Sequence, residues 1–112
     1  MIDPKEYDVR NNVSIESLIK AGFKRTGTFY TYKSPLYYYD GTKIPYVSLV
    51  ISIKVCDDPI MVYSIICDDG TTYPPFYNKH QRYNNLVSDK IINAYNSVMD
   101  GFAKKNILKR VR

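Results

Sequence analysis

Residues 46–68 read YVSLVISIKVCDDPIMVYSIICD, and the rest of the fold can be worked out from them. Two alternating runs flank the turn-forming stretch Cys56-Asp57-Asp58-Pro59, which predicts an antiparallel hairpin. In the first, Val47, Leu49, Ile51, Ile53 and Val55 alternate with Tyr46, Ser48, Val50, Ser52 and Lys54. In the second, Ile60, Val62, Ser64 and Ile66 alternate with Met61, Tyr63, Ile65 and Cys67. A turn centred between Asp57 and Asp58 pairs Val55 with Ile60, Ile53 with Val62, Ile51 with Ser64 and Leu49 with Ile66. This register gathers the aliphatic side chains on one side, and a slip of one residue would turn the second strand over. Each such side chain contributes about 1.5–3 kcal/mol when buried, so this side is expected to floor the core. The opposite side then carries Val50, Met61, Tyr63 and Ile65. It is too apolar for a solvated sheet face and is expected to meet a cover or a partner.

Upstream, Lys24–Lys33 is rich in Thr, Phe and Tyr and reads as strand, with Gly27 marking a bulge or close approach. Ser34-Pro35 interrupts it, Leu36–Tyr39 resumes it, and Asp40-Gly41 signals a hairpin turn. Pro45 delays the next strand to Tyr46. A short helix precedes these strands. Ser14 is its cap, Val13 and Leu18 its hydrophobic staple, and Gly22 its terminator, with Phe23 folding back on Leu18. Ile15, Leu18 and Ile19 are expected to form its packed face. Downstream, Asp68-Asp69-Gly70 turns the chain into a short strand at Thr71–Tyr73, ended by Pro74-Pro75. A link, Phe76–Asn84, leads to a long helix from Asn85 to Leu108, in which Val87, Ile91, Ala94, Tyr95, Val98 and Phe102 form one stripe. The fold class expected is α+β in the order α-β-β-β(-β)-α. An antiparallel sheet of three to five strands has a short N-terminal and a long C-terminal helix on one face. All 112 residues form one domain, with a polar arm (1–12) and a basic tail (104–112).

The charge is unevenly placed. Residues 1–103 carry eleven Lys/Arg against eleven Asp/Glu, so the formal +5 comes wholly from Lys104, Lys105, Lys109, Arg110 and Arg112. A basic net charge therefore does not license a nucleic-acid reading of the body. Two cysteines far apart in the expected hairpin, no secretory layout at the N-terminus and no long apolar run place the chain in a cytoplasm. Tyr, Ile, Lys and Asn, all with AT-rich codons, are abundant, which suggests a low-GC bacterium, its phages or its mobile elements.

Catalytic chemistry finds no footing. Asp57-Asp58 and Asp68-Asp69 would raise the pKa of Cys56 and Cys67, the opposite of what a nucleophilic thiol needs. The single histidine, His80, and two separated cysteines cannot build a zinc site. The two acidic doublets sit at opposite ends of one strand and cannot share a Mg²⁺. No phosphate-binding glycine loop is present. Neither enzyme activity nor a cofactor is expected.

Two features could carry binding. Tyrosines crowd the middle of the chain, and Tyr37, Tyr38 and Tyr39 cannot all point inward; with Val50, Met61, Tyr63 and Ile65 they form the expected partner-binding set. Amphipathic strand faces also account for tyrosine abundance. The second feature is basic: Lys79, Arg82, Lys104, Lys105, Lys109, Arg110 and Arg112 could contact phosphates, although cations at a helix C-terminus also simply complement its dipole. The element order resembles the double-stranded-RNA-binding domain, with Lys79 and Arg82 at the basic start of its last helix. The Gly-x-Gly-x-Ser-Lys-Lys run of that family is missing and its first helix would offer only Lys20, so the resemblance is one of order. The leading expectation is a non-enzymatic protein-binding module with a larger protein partner or a second copy. Its narrower form is a phage or mobile-element accessory protein that inhibits a host defence nuclease. The alternative is a small RNA- or DNA-binding domain.

Overall fold

The computed structural model describes residues 2–111. Strand β1 (Tyr7–Val9) leads into helix α1 (Ile15–Lys20), followed by β2 (Lys24–Thr26), β3 (Phe29–Tyr38), β4 (Pro45–Lys54) and β5 (Ile60–Cys67). Two short helical turns, α2 (Pro74–Tyr77) and α3 (Lys79–Tyr83), precede the long α4 (Ser88–Lys104) and a last strand, β6 (Leu108–Arg110). Strands β2-β3-β4-β5 form an antiparallel meander, while β1 and β6 pair in a separate two-stranded sheet. The α+β class and the rough element order therefore hold.

Local signals in the sequence account for much of this. Ser14 caps α1 by accepting a bond from the Ser17 amide. Gly22, at φ 99°, ends it, with the Gly22 and Phe23 amides donating to the Ile19 and Leu18 carbonyls in a Schellman arrangement. Gly27 and Thr28 form the two-residue turn between β2 and β3, so Gly27 supplies a left-handed turn position. Strand β3 runs unbroken through Ser34-Pro35, and the expected interruption appears as register shifts on either side of Tyr37.

The central hairpin pairs in a different register from the one expected. Lys54 faces Ile60, Ser52 faces Val62, Val50 faces Ser64 and Leu49 faces Ile65, leaving a five-residue loop from Val55 to Pro59. The inward set on β4 is as anticipated: Val47, Leu49, Ile51 and Ile53 are fully buried. On β5 the faces are exchanged. Met61, Tyr63 and Ile65 lie against the core, whereas Ile60 and Val62 are 49% and 54% exposed. Ser64 favours this exchange. The expected register would bury its hydroxyl opposite Ile51, whereas the observed one turns it outward and packs Met61, Tyr63 and Ile65 against the core instead.

Helix α4 covers this inward face with Ile91, Ile92, Tyr95, Met99 and Phe102. Val87, Ala94 and Val98, expected in the central stripe, are only partly buried at its flank. Tyr95 packs on Tyr63 and Phe76 with centroids 5.8 and 4.9 Å apart, and Phe102 packs on Phe23 and Tyr32. In α1 only Leu18 is fully inside; Ile15 and Ile19 are 44% and 57% exposed, because six residues make too short a helix to bury a full stripe.

Both chain ends differ from expectation. The long helix stops at Lys104. Asn106 adopts φ 62° in the place a glycine would take, and the Ile107 amide donates to the Phe102 carbonyl. Ile107 and Leu108 then bury completely, and Val9 faces Leu108 across the terminal ribbon. The polar arm is thus half core: Tyr7 and Val9 are buried under the C-terminal strand, which is neither a frayed helix end nor a loose tail.

Candidate binding face

One face of the meander lies under α4. On the other, β3 and β4 bring Thr31 opposite Ser52 and Lys33 opposite Val50, and β5 continues these rows with Val62 and Ser64. Lys24 extends the first row through Thr31 at the β2 edge. Alternation puts Thr26, Phe29, Lys54, Ile60 and Ile66 on the same side. The face is divided across its width. Lys24 and Lys33 occupy the β2–β3 half, while Val50, Ile60, Val62 and Ile66 give the β4–β5 half an aliphatic surface. A shallow depression of about 330 Å³ lies between Thr26, Phe29, Thr31, Ser52 and Val62. Its floor is tied together by a 3.2 Å bond between the Thr31 and Ser52 hydroxyls.

The expected partner set is split by the exchanged faces. Val50 is on the open face, whereas Ile65 is fully buried and Met61 and Tyr63 pack, half-buried, against the core on the α4 side. The tyrosine run at the end of β3 is partly spoken for. Tyr37 is half-buried against Tyr46; Tyr39 packs on the same ring at 5.0 Å and donates a 2.7 Å bond to Asp68 Oδ2. That bond, with some desolvation, pushes the Tyr39 hydroxyl up to about 12. Tyr38 is exposed. Lys24, Phe29, Lys33, Lys54, Ile60 and Val62 were not singled out by sequence; for Ile60 and Val62 the one available signal was Ser64, a polar side chain that favours the outward face.

The basic set does not converge. Arg82 is buried, donating from Nη1 to the Phe76 carbonyl and from Nη2 to Asp3 Oδ1, each at 2.9 Å, and so is internal to the fold. Its guanidinium holds the Asp3 carboxyl below the usual carboxylate range. Lys79 sits over the Tyr83 ring and Lys105 over Phe102. Lys104 is exposed at the end of α4, whereas Lys109 and Arg110 belong to the terminal ribbon. Arg112 lies outside the described residues.

The N-terminal arm is strapped along α4 by polar contacts. The Lys5 amide donates to Asn96 Oδ1, Tyr95 donates to the Lys5 carbonyl, and both Tyr7 and Lys5 bond the Asp100 carboxylate. The Tyr7 bond, helped by Lys5, holds the Asp100 pKa below its ordinary value. A carboxylate with a depressed folded-state pKa stabilises fully above the ordinary range, and that contribution is lost as pH falls through the lowered value. The arm is therefore expected to lose amide-exchange protection at Lys5 and Arg10, whose amides donate to Asn96 Oδ1 and the Ile107 carbonyl, on acidification below about pH 4, and Asp100→Asn should flatten that dependence.

Cys56 and Cys67 are both free thiols. Burial, then the Asp69 and Asp68 charges, push the Cys67 thiol up, opposite to activation. Among the described residues, no group of three His, Cys, Asp or Glu lies together, and no helix is long and apolar enough to cross a membrane.

No family model matches the chain, and no curated protein does. Among solved structures, the crystal structure at 1.20 Å of a DUF1831 family protein from Lactobacillus plantarum superposes with a TM-score of 0.72, covering 98% of this chain and 93% of the other at 11% identity. At that identity the likeness is one of fold: this chain shares the α+β architecture of the Lactobacillus protein over nearly its whole length.

Proposed function

We propose that this chain is a non-enzymatic, cytoplasmic protein-binding module that engages a larger protein through the helix-free face of its meander. The observation that carries this reading is the β5 register, which turns Ile60 and Val62 out to solvent beside Val50 on a sheet face that carries no helix. Contiguous exposed apolar surface rimmed by polar residues is a mark of interaction sites. The narrower form, a phage or mobile-element accessory protein that blocks a host nucleic-acid-handling complex, draws support from the abundance of Tyr, Ile, Lys and Asn, residue types whose codons are AT-rich. It predicts that expressing the chain in a low-GC host raises phage plating or transformation by unmodified plasmid.

A photo-crosslinking residue at Val62 and another at Asn93, on the exposed side of α4, test the docking face. Val62 is expected to yield one discrete protein adduct in cells that Asn93 does not. Adding Ile60→Asp should reduce that adduct by about tenfold or more, because a charge at the centre of an apolar contact removes most of its affinity. Equal labelling from both positions would refute the reading.

A further inference from the structure

We infer that the occupant of the open sheet face is an acidic amphipathic helix of the partner protein, with one apolar anchor seated between Phe29 and Val62. This rests on the protein-docking reading of the same face. The depression beside those two side chains, about 330 Å³, has the Thr31 and Ser52 hydroxyls on its floor bonded to each other, so an apolar group seated there leaves both with a partner. Val50 and Ile60 extend the apolar contact along the strands, the direction in which a helix would lie.

Charge chooses the flanks. Among the described residues, Lys24, Lys33 and Lys54 are the charged side chains that alternation places on this face, and the carboxylates of the adjoining turns lie at its two ends, Asp57 and Asp58 at one and Asp68 and Asp69, with Asp68 lining a hollow beside Lys33, at the other. The ion pairs Lys5–Asp100, Lys20–Glu16 and Arg82–Asp3 involve none of the three face lysines. A helix whose apolar stripe is bordered by Asp or Glu on the β2–β3 side meets Lys24 and Lys33 while its stripe covers the aliphatic half. A second copy docking by the same face would set its lysines against these, with carboxylates only at the two ends of the face. Single-stranded nucleic acid would need a row of stacking aromatics, and of Phe29 and Tyr46, the two rings that alternation puts on this side among the described residues, Tyr46 is already packed on Tyr37, Tyr39 and Tyr73.

The test uses the full ¹⁵N-labelled chain and three probes: an 18-residue helical peptide with a leucine stripe flanked by glutamates, its twin flanked by lysines, and a 20-nucleotide single strand. The glutamate peptide is expected to shift the amides of Phe29, Thr31, Val50, Ser52 and Val62 and to bind about tenfold more tightly than the lysine twin. The double variant Lys24→Glu/Lys33→Glu should invert that preference, a readout that a merely structural role for these lysines would not move. Equal affinity of both peptides for the face overturns the acidic-helix inference and leaves the docking reading standing. Preference for the oligonucleotide, or no shift on this face from any probe, overturns the inference; the Val62 crosslink then decides the docking reading separately. Light scattering that shows a dimer broken by Val62→Asp overturns it in favour of a second copy.

Discussion

Ile65→Ala is expected to lower the free energy of unfolding by about 2–5 kcal/mol, while Val62→Ala stays within about 1 kcal/mol of the parent. Ile65 is fully buried opposite Leu49, with its amide donating to the Tyr77 hydroxyl and its carbonyl accepting from the Tyr73 amide. Truncation therefore opens a cavity in the layer between the sheet and α4. Val62 is more than half exposed, three residues earlier on the opposite face. The alternative register, with a four-residue turn, puts Val62 opposite Ile53 in the core and turns Ile65 outward, so it predicts the reverse ranking. Urea denaturation of the two variants decides between them, provided the slope stays unchanged. Equal losses at both positions would mean that neither register describes the native hairpin.

Truncation after Lys105 is expected to abolish cooperative folding at 25 °C. It removes Ile107 and Leu108, both fully buried, and the partner strand of Tyr7–Val9. Two buried aliphatics cost about 2–5 kcal/mol each when lost, against a total of about 5–15 kcal/mol for a domain. The basic side chains of the same segment are a separate matter. Lys104→Glu, Lys105→Glu and Lys109→Glu together are expected to change stability by about 1 kcal/mol or less, since all three are exposed. Thermal melts followed by circular dichroism separate the two effects. A truncated chain that melts like the parent would show that the C-terminal ribbon is dispensable. This matters for function, because deleting the tail to test nucleic-acid binding would unfold the protein, whereas charge reversal would not.

Different parts of the molecule were legible for different physical reasons. The ends of α1 follow from interactions within one turn of chain, so Ser14 and Gly22 announced them directly. The inward set of β4 was equally plain, because Val47, Leu49, Ile51 and Ile53 are all aliphatic and their alternates include Ser48, Ser52 and Lys54. The second strand was ambiguous. Ile60, Val62 and Ile66 on one side compete with Met61, Tyr63 and Ile65 on the other, and alternation by itself cannot rank two apolar faces. The candidate site inherited that ambiguity, so Val50 was placed on the open face and its true neighbours, Ile60 and Val62, were put inside. The basic residues misled for another reason: net charge records how many cations a segment has but not that Arg82 is consumed by Asp3 and the Phe76 carbonyl.

By itself the sequence determined the α+β class, the central hairpin, the cap and stop of the first helix, and which face of β4 is buried, because each depends on contacts among near neighbours or on a single unambiguous alternation. Only the tertiary structure decided the hairpin register, the pairing of the two chain ends and the choice of open surface. Those depend on what lies across from each residue: Tyr95 and Phe76 above Tyr63 and Ile65, and Leu108 beside Val9, are far apart along the chain, and their packing energy outweighs the small local differences between one turn length and the next.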